Sequence, residues 1–208
     1  MKKVLYWAFE GNEGTGKSTL SQKFADRCNA TWTYEPNGET EELKYLRTLA
    51  LTENDNISKY AKESLLIANR NIHQTRTITP LIHNLNTVVT DRSFLSGMVY
   101  ARLQTYTFEK FFELSKLANI LTYPDVIIYV KNKERRIVKN EGDIYDNADE
   151  ETLDRVDELF EEAIEFIGEY LHTKNIKVFR FENDFTKSVN KNCDYLLKQL
   201  KKENINEG

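Results

Sequence analysis

The sequence predicts an α/β fold in three layers, α/β/α, around a mostly parallel five-stranded sheet. Three observations predict it. Five short apolar runs read as strands: Val4–Phe9, Thr31–Tyr34, Thr87–Thr90, Val126–Val130 and Lys177–Phe181. Segments with apolar residues at helical spacing alternate with them, which is how parallel βα units are written. The 208 residues contain only 8 Gly and 3 Pro, too few for a turn-rich all-β architecture.

Each element follows from its local pattern. Val4–Phe9 and Val126–Val130 are continuously apolar, as strands covered on both faces are. Ser18–Arg27 places Leu20, Phe24 and Ala25 on one helical face, and Glu39–Leu51 does the same with Leu43, Leu46 and Leu49. A long helical pattern runs from Ile57 to Leu85, with Pro80 expected to kink or divide it. Phe94–Leu103 and Phe108–Leu121 read as helices, and Glu150–Leu171 as a strongly amphipathic one. Thr186–Leu200 is the last helix. Residues 131–147, basic and then acidic, read as a short lid. Neither an internal repeat nor a linker divides the chain, so residues 1–208 are expected to form a single domain.

Composition narrows the function. Lys and Arg number 29 against 33 Asp and Glu, a net charge of −4. That argues against a dedicated nucleic-acid binder, which needs excess positive charge for phosphate contacts, and leaves room for a local basic pocket. Cys28 and Cys193 make neither a disulfide framework nor a metal knuckle. No apolar run approaches the ~18–20 residues that span a bilayer, and the N-terminal one is too short for a signal peptide. The expectation is a cytoplasmic protein with reduced thiols and no membrane partner. A homodimer is compatible with the sequence, which does not fix the oligomeric state.

The segment Gly11-Asn12-Glu13-Gly14-Thr15-Gly16-Lys17-Ser18 fits GxxxxGK[ST], the phosphate-binding P-loop, and Thr19 follows it. Glycines let backbone N–H groups turn inward onto phosphate oxygens, and the following helix aims its N-terminus at the same anion. Lys17 would reach the β- and γ-phosphates, and the Ser18 hydroxyl would ligate Mg²⁺. By chance the pattern arises in roughly one chain of this length in a hundred. Here a buried strand precedes it and a helix follows, as the mechanism requires. The loop implies a nucleoside triphosphate and magnesium but not the acceptor. No NKxD tetrapeptide is present to recognise guanine, and the chain is too short for most motor ATPases.

Three segments bear on the acceptor. Asp91 and Arg92 end the third strand, where ligands of open α/β sheets bind; Asp91 can hold Mg²⁺ and Arg92 can grip an anion. Asn69 and Arg70 lie among Leu65, Leu66, Ile67 and Ala68, where a base edge or a solvated helix edge would explain them equally. Glu35 opens the turn Glu35-Pro36-Asn37-Gly38, with Arg47 on the next helix.

In this order the segments resemble the thymidylate kinase family of nucleoside monophosphate kinases. Phe9-Glu10-Gly11 through Thr19 resembles its opening strand and loop, Tyr34-Glu35-Pro36-Asn37-Gly38 its R-E-P-G-G segment, and Glu63–Arg70 its helix ending in A-[DN]-R. Val88–Gly97 is similar to V-x-D-R-[YF]-x-x-S-[SG], and Pro124–Val130 to P-D-x-x-[IL]-[YF]-L. The resemblance implies transfer of the ATP γ-phosphate to a deoxynucleoside monophosphate, dTMP first. It implies that Lys17 and the loop hold ATP, and that Ser18 and Asp91 organise Mg²⁺. Arg47 and Arg92 would bind the acceptor phosphate, Asn69 and Arg70 the pyrimidine, and Glu13 the sugar 3′-hydroxyl. Asn183 and Asp184 would lie near the adenine. Tyr34 replaces the first R, Leu66 the aromatic residue stacked on the base, and Ser93 the aromatic residue after D-R. Gly14 stands where some members carry a loop arginine. The catalytic cation is therefore expected from Arg135 or Arg136 in the lid, ahead of Lys133 and Lys139. Tyr145 would help close the lid and is counted with the substrate-binding residues.

Two rivals remain. A deoxynucleoside kinase shares the architecture and would need Glu35 as base for a 5′-hydroxyl, whereas a monophosphate attacks through an oxygen that is already anionic. A non-catalytic nucleotide-binding regulator would have little use for an intact Lys17, Ser18 and Asp91.

Overall fold

A computed structural model describes residues 5–53, 56–104, 106–120, 122–132, 149–170 and 175–205. The strands are β1 (Tyr6–Glu10), β2 (Thr31–Tyr34), β3 (Val88–Asp91), β4 (Val126–Asn132) and β5 (Lys177–Asn183). They form one sheet in the order β2-β3-β1-β4-β5, and every pairing is parallel rather than most of them. The helices are α1 (Lys17–Cys28), α2 (Glu41–Leu51), α3 (Lys59–His73), α4 (Thr79–His83), α5 (Phe94–Gln104), α6 (Phe108–Leu117), α7 (Glu150–Tyr170) and α8 (Val189–Lys202).

Alternation along the strands sorts the core into two layers. Tyr6, Ala8, Val88, Ile127 and Tyr129 face α5, α6 and α7. Trp7, Phe9, Val89, Val126, Ile128 and Val130 face α1 and α8. Both faces of the central strands are therefore dry, which is why β1 and β4 show no polar alternation.

Three boundaries differ from expectation. The pattern over 57–85 is broken at His73 by a single π-helical turn, Gln74–Ile78. Pro80 lies in the first turn of α4, where a missing N–H has no intrahelical partner to lose. Asn119 turns left-handed at φ 58° and ends α6 at Leu117, short of Leu121. The last helix begins at Val189, because Ser188 caps it by accepting from Lys191 N at 3.4 Å.

The caps also point to the site. Thr40, Ser58, Thr107 and Ser188 each close the N-terminus of a helix with a hydroxyl. α1 has no side-chain cap; Gly16, at φ 76°, leads directly into it. Its first N–H groups remain available to an anion.

Candidate active site

The phosphate loop sits at the carboxyl end of β1, between β3 and β4. Gly11 has φ 143°, and a Cβ there would lie 2.4 Å from the Val130 carbonyl oxygen. Gly16 is as constrained, with Asn183 Nδ2 2.6 Å from where its Cβ would be. Only glycine fits either position. Side chains from distant elements brace the loop. Asn12 donates to Leu153 O at 2.7 Å and to Asp157 at 3.0 Å, Asn132 to Gly14 O at 2.8 Å, and Asn183 to Thr15 O at 2.9 Å.

Lys17 is buried, and its ammonium donates to Asn12 O at 3.1 Å. Burial and the nearby Arg92 charge pull its pKa down. Glu13 lies 3.7 Å from Lys17 Nζ and is also ion-paired to Arg92. Burial alone would raise the Glu13 pKa, yet the two cations hold it at about 2. Ser18 and Thr19 are exposed at the start of α1. Asp91 ends β3, and its Oδ1 is buried with no hydrogen-bond partner. A carboxylate oxygen in that state next to the phosphate loop suits a hard cation.

On the other side of Arg92 opens a cleft between α3 and α5. Arg92 itself has φ 67°, a strained conformation for a non-glycine residue. It donates to Ser96 Oγ at 3.0 Å and Gly11 O at 3.3 Å, with the Tyr100 ring beneath its guanidinium. Ser93, at 2.6 Å, and Ser96 both donate to Glu10, which burial nonetheless pushes up to about 7. The cleft runs from Glu13 and Arg92 to Leu66, Arg70 and Glu63 on α3, with Tyr100 and Gln104 of α5 opposite. Arg70 is buried and donates from Nε to Glu35 at 2.6 Å, while its Nη1 has no partner. One buried donor of a cleft-lining residue is thus unclaimed.

A family model for "Thymidylate kinase" matches residues 9–169. The chain belongs to the thymidylate kinase family. Thymidylate kinase of Helicobacter pylori (strain Shi470) is 32% identical to it over 170 residues, 81% of each chain. That of Campylobacter jejuni (strain 81116) is 31% identical over 173 residues, covering 79% of this chain and 86% of the other. A crystal structure of thymidylate kinase from Ehrlichia chaffeensis superposes with a TM-score of 0.72 at 21% identity, over 96% of this chain and all of that one, which establishes the shared fold. The family uses ATP as phosphate donor, so small nucleotides are the ligands.

Within this thymidylate kinase fold several expected site residues stand elsewhere. Asn69 does not face the cleft: it is 0% exposed. Its amide donates to Asn37 O at 2.8 Å and Leu43 O at 2.9 Å, and its oxygen accepts from Asn37 N at 2.9 Å. It ties α3 to the β2–α2 turn and α2, and both of its N–H donors are spent. Arg47 lines a separate groove with Tyr34, Gly38, Lys44 and Thr48, its guanidinium 5.8 Å over the Tyr34 ring. Glu35 does line the cleft, but Arg70 and His73 hold its carboxylate. Although burial opposes ionisation, they bring its pKa down, so it makes a poor base. Asp184 directs its carboxylate to Thr186 and Lys187 in its own turn. Arg135, Arg136 and Tyr145 lie outside the described residues, as does the rest of 133–148. Sequence reasoning missed Ser96, Tyr100 and Glu63. Their one signal is spacing: Ser96 and Tyr100 fall one and two turns after Arg92, and Glu63 two turns before Arg70.

Proposed function

We propose that the chain is an ATP-dependent thymidylate kinase that converts dTMP and ATP to dTDP and ADP. The carrying observation is the position of Arg92, shared between the phosphate loop and a cleft whose far wall offers the unpartnered Arg70 Nη1. Lys17 and the loop amides hold the β- and γ-phosphates of ATP, with Asn183 keeping the loop in shape. Arg92 orients the phosphate of the acceptor, whose attacking oxygen is already anionic and needs no base. Glu13 holds Arg92 and Lys17 apart and takes the sugar hydroxyl. Arg70 donates to a base carbonyl, and Leu66 lies against the ring.

Ser18 and Asp91 would hold Mg²⁺, which would draw charge from the transferring phosphoryl group. The donor set fits: a hydroxyl and an unpartnered buried carboxylate oxygen, both hard ligands. Among the described residues no group of three or more His, Cys, Asp or Glu could cage a metal alone, so phosphate oxygens would complete the coordination. Residues 131–147 act as the lid of a single catalytic domain and supply the transition-state cation through Arg135 or Arg136. The nucleoside-kinase alternative is weaker, because Arg70 and His73 hold the Glu35 carboxylate. No helix among the described residues is long and apolar enough to cross a membrane, and Cys28 and Cys193 form no disulfide, which fits a cytoplasmic enzyme.

The test is an acceptor panel with ATP and Mg²⁺: dTMP, dUMP, dCMP, dGMP and thymidine. dTMP is expected to have the highest kcat/KM. Turnover of thymidine with none of dTMP would overturn the proposal.

A further inference from the structure

Glu63 is an unusual choice for the wall of the cleft. It is 6% exposed, and its Oε1 is buried with no hydrogen-bond partner. Leaving a carboxyl oxygen unpaired in a dry site is costly, and the helix face it shares with Leu66 and Ile67 would accept an apolar residue at no such cost. Lys62, which also lines the cleft, donates to Thr52 O at 2.9 Å instead. Glu63 lies seven residues before Arg70, two turns along the same face of α3. Each charge is felt by the other: Glu63 raises the Arg70 pKa, and Arg70 pulls on the Glu63 carboxyl, which burial still holds at about 7.

We infer that Glu63 is a specificity-determining residue of the acceptor cleft, accepting a hydrogen bond from a ring N–H of the acceptor base while Arg70 Nη1 donates to the adjoining carbonyl. The inference rests on the proposed function above. The two unpartnered atoms, one acceptor and one donor, complement a carbonyl beside a ring N–H. Thymine and uracil carry that pair at O4 and N3–H. Cytosine does not, because its N3 has no proton and its C4 bears an amine. Leu66, three residues on from Glu63 and four before Arg70, lines the cleft on the same face and suits the 5-methyl group.

The test uses the full-length enzyme with ATP and compares dTMP with N3-methyl-dTMP, which lacks the N–H. For Glu63→Leu the dTMP KM is expected to rise about tenfold or more, the effect of losing one good hydrogen bond in a dry site. The KM for ATP should stay unchanged. Glu63→Gln keeps an accepting oxygen and should stay within about threefold of the parent. The melting temperature of Glu63→Leu should equal or exceed that of the parent, because an unpaired polar atom has been removed; a structural role would lower it. The parent should discriminate against N3-methyl-dTMP, and Glu63→Leu should not. An unchanged dTMP KM in folded Glu63→Leu would overturn the inference, and so would a parent that is indifferent to N3-methylation, a measurement that needs no variant to fold. A parent without dTMP turnover would instead remove the proposed function, and this inference with it.

Discussion

Around Lys17 the groups that meet an anion are backbone amides and one ammonium, supplied by eight consecutive residues. Across Arg92 the cleft is lined by side chains from α2, α3, α5 and the β2–α2 turn. The loop is shaped by glycines that nothing else can replace, tied outward by Asn12 to Leu153 and braced from outside by Asn132 and Asn183. The cleft's donors and acceptors are side chains, and it keeps unpartnered polar atoms at Arg70 and Glu63. The first region is a general anion holder fixed by local geometry. The second is assembled at long range, and on the proposed reading its selectivity would reside in atoms that the fold leaves unsatisfied.

The sharpest way to break this contrast is at Lys17. Lys17→Ala removes the loop ammonium proposed to reach the transferring phosphates and leaves the backbone cradle intact. It is expected to lower kcat on the order of 10²–10³-fold or more, the usual cost of one preorganised charge-stabilising donor. The melting temperature should change little, because Lys17 makes one hydrogen bond and one ion pair longer than 3.5 Å. Turnover near the parental value in a folded Lys17→Ala enzyme would remove the loop from the mechanism.

Arg92 belongs to both regions, so its replacement shows which one it serves. Arg92→Ala is expected to raise the dTMP KM by about 10- to 150-fold, corresponding to ~1.5–3 kcal/mol for hydrogen bonds to a charged group. The KM for ATP should move much less. A larger effect on ATP than on dTMP would assign Arg92 to the donor side.

How much was legible in the sequence follows the same division. The loop could be read because its chemistry is contiguous, and β1 and β4 because burial on both faces leaves no polar alternation. Asn69 and Arg70 could not be told apart, being adjacent polar residues in one apolar helix. Their roles differ because the fold turns Asn69 toward Asn37 and Leu43 and Arg70 toward Glu35 and the cleft. Likewise the sequence does not show that the packing of α2 sets Arg47 over Tyr34, in a groove separate from the cleft. The π turn after His73 has no sequence signal that would displace Pro80 as the expected break.

Asn69 therefore offers a third test, and a structural one. Asn69→Ala strands the Asn37 N–H and two carbonyls in a buried region, at an expected cost of ~1–3 kcal/mol in unfolding free energy. Denaturant titration measures that loss. The dTMP KM of the protein that remains folded should stay within a few-fold of the parent. A large KM change with unaltered stability would return Asn69 to the base site.

A difference in pH dependence also separates the two regions. Glu63 has a folded pKa of about 7, raised by burial. Below its unfolded value, near 4.3, it is neutral in both states and contributes no pH dependence. Between that value and 7 the folded protein retains a proton that the unfolded chain has released, so stability falls as pH rises, by at most ~1.4 kcal/mol per unit, and then levels off. Glu10 acts in the same direction for the same reason. Glu13 and Glu35 are held down by Arg92, Lys17, Arg70 and His73, so their contribution is present at neutral pH and lost on acidification. The parent's overall profile mixes these opposing slopes, but the difference between the parent and Glu63→Gln isolates one carboxyl. That difference is expected to favour the variant more at pH 8 than at pH 5, measured from urea unfolding midpoints with a common m-value. A difference that stays constant across the range would mean that Glu63 ionises in the fold as it does in water. The cleft wall would then be wet rather than a dry surface prepared for a base.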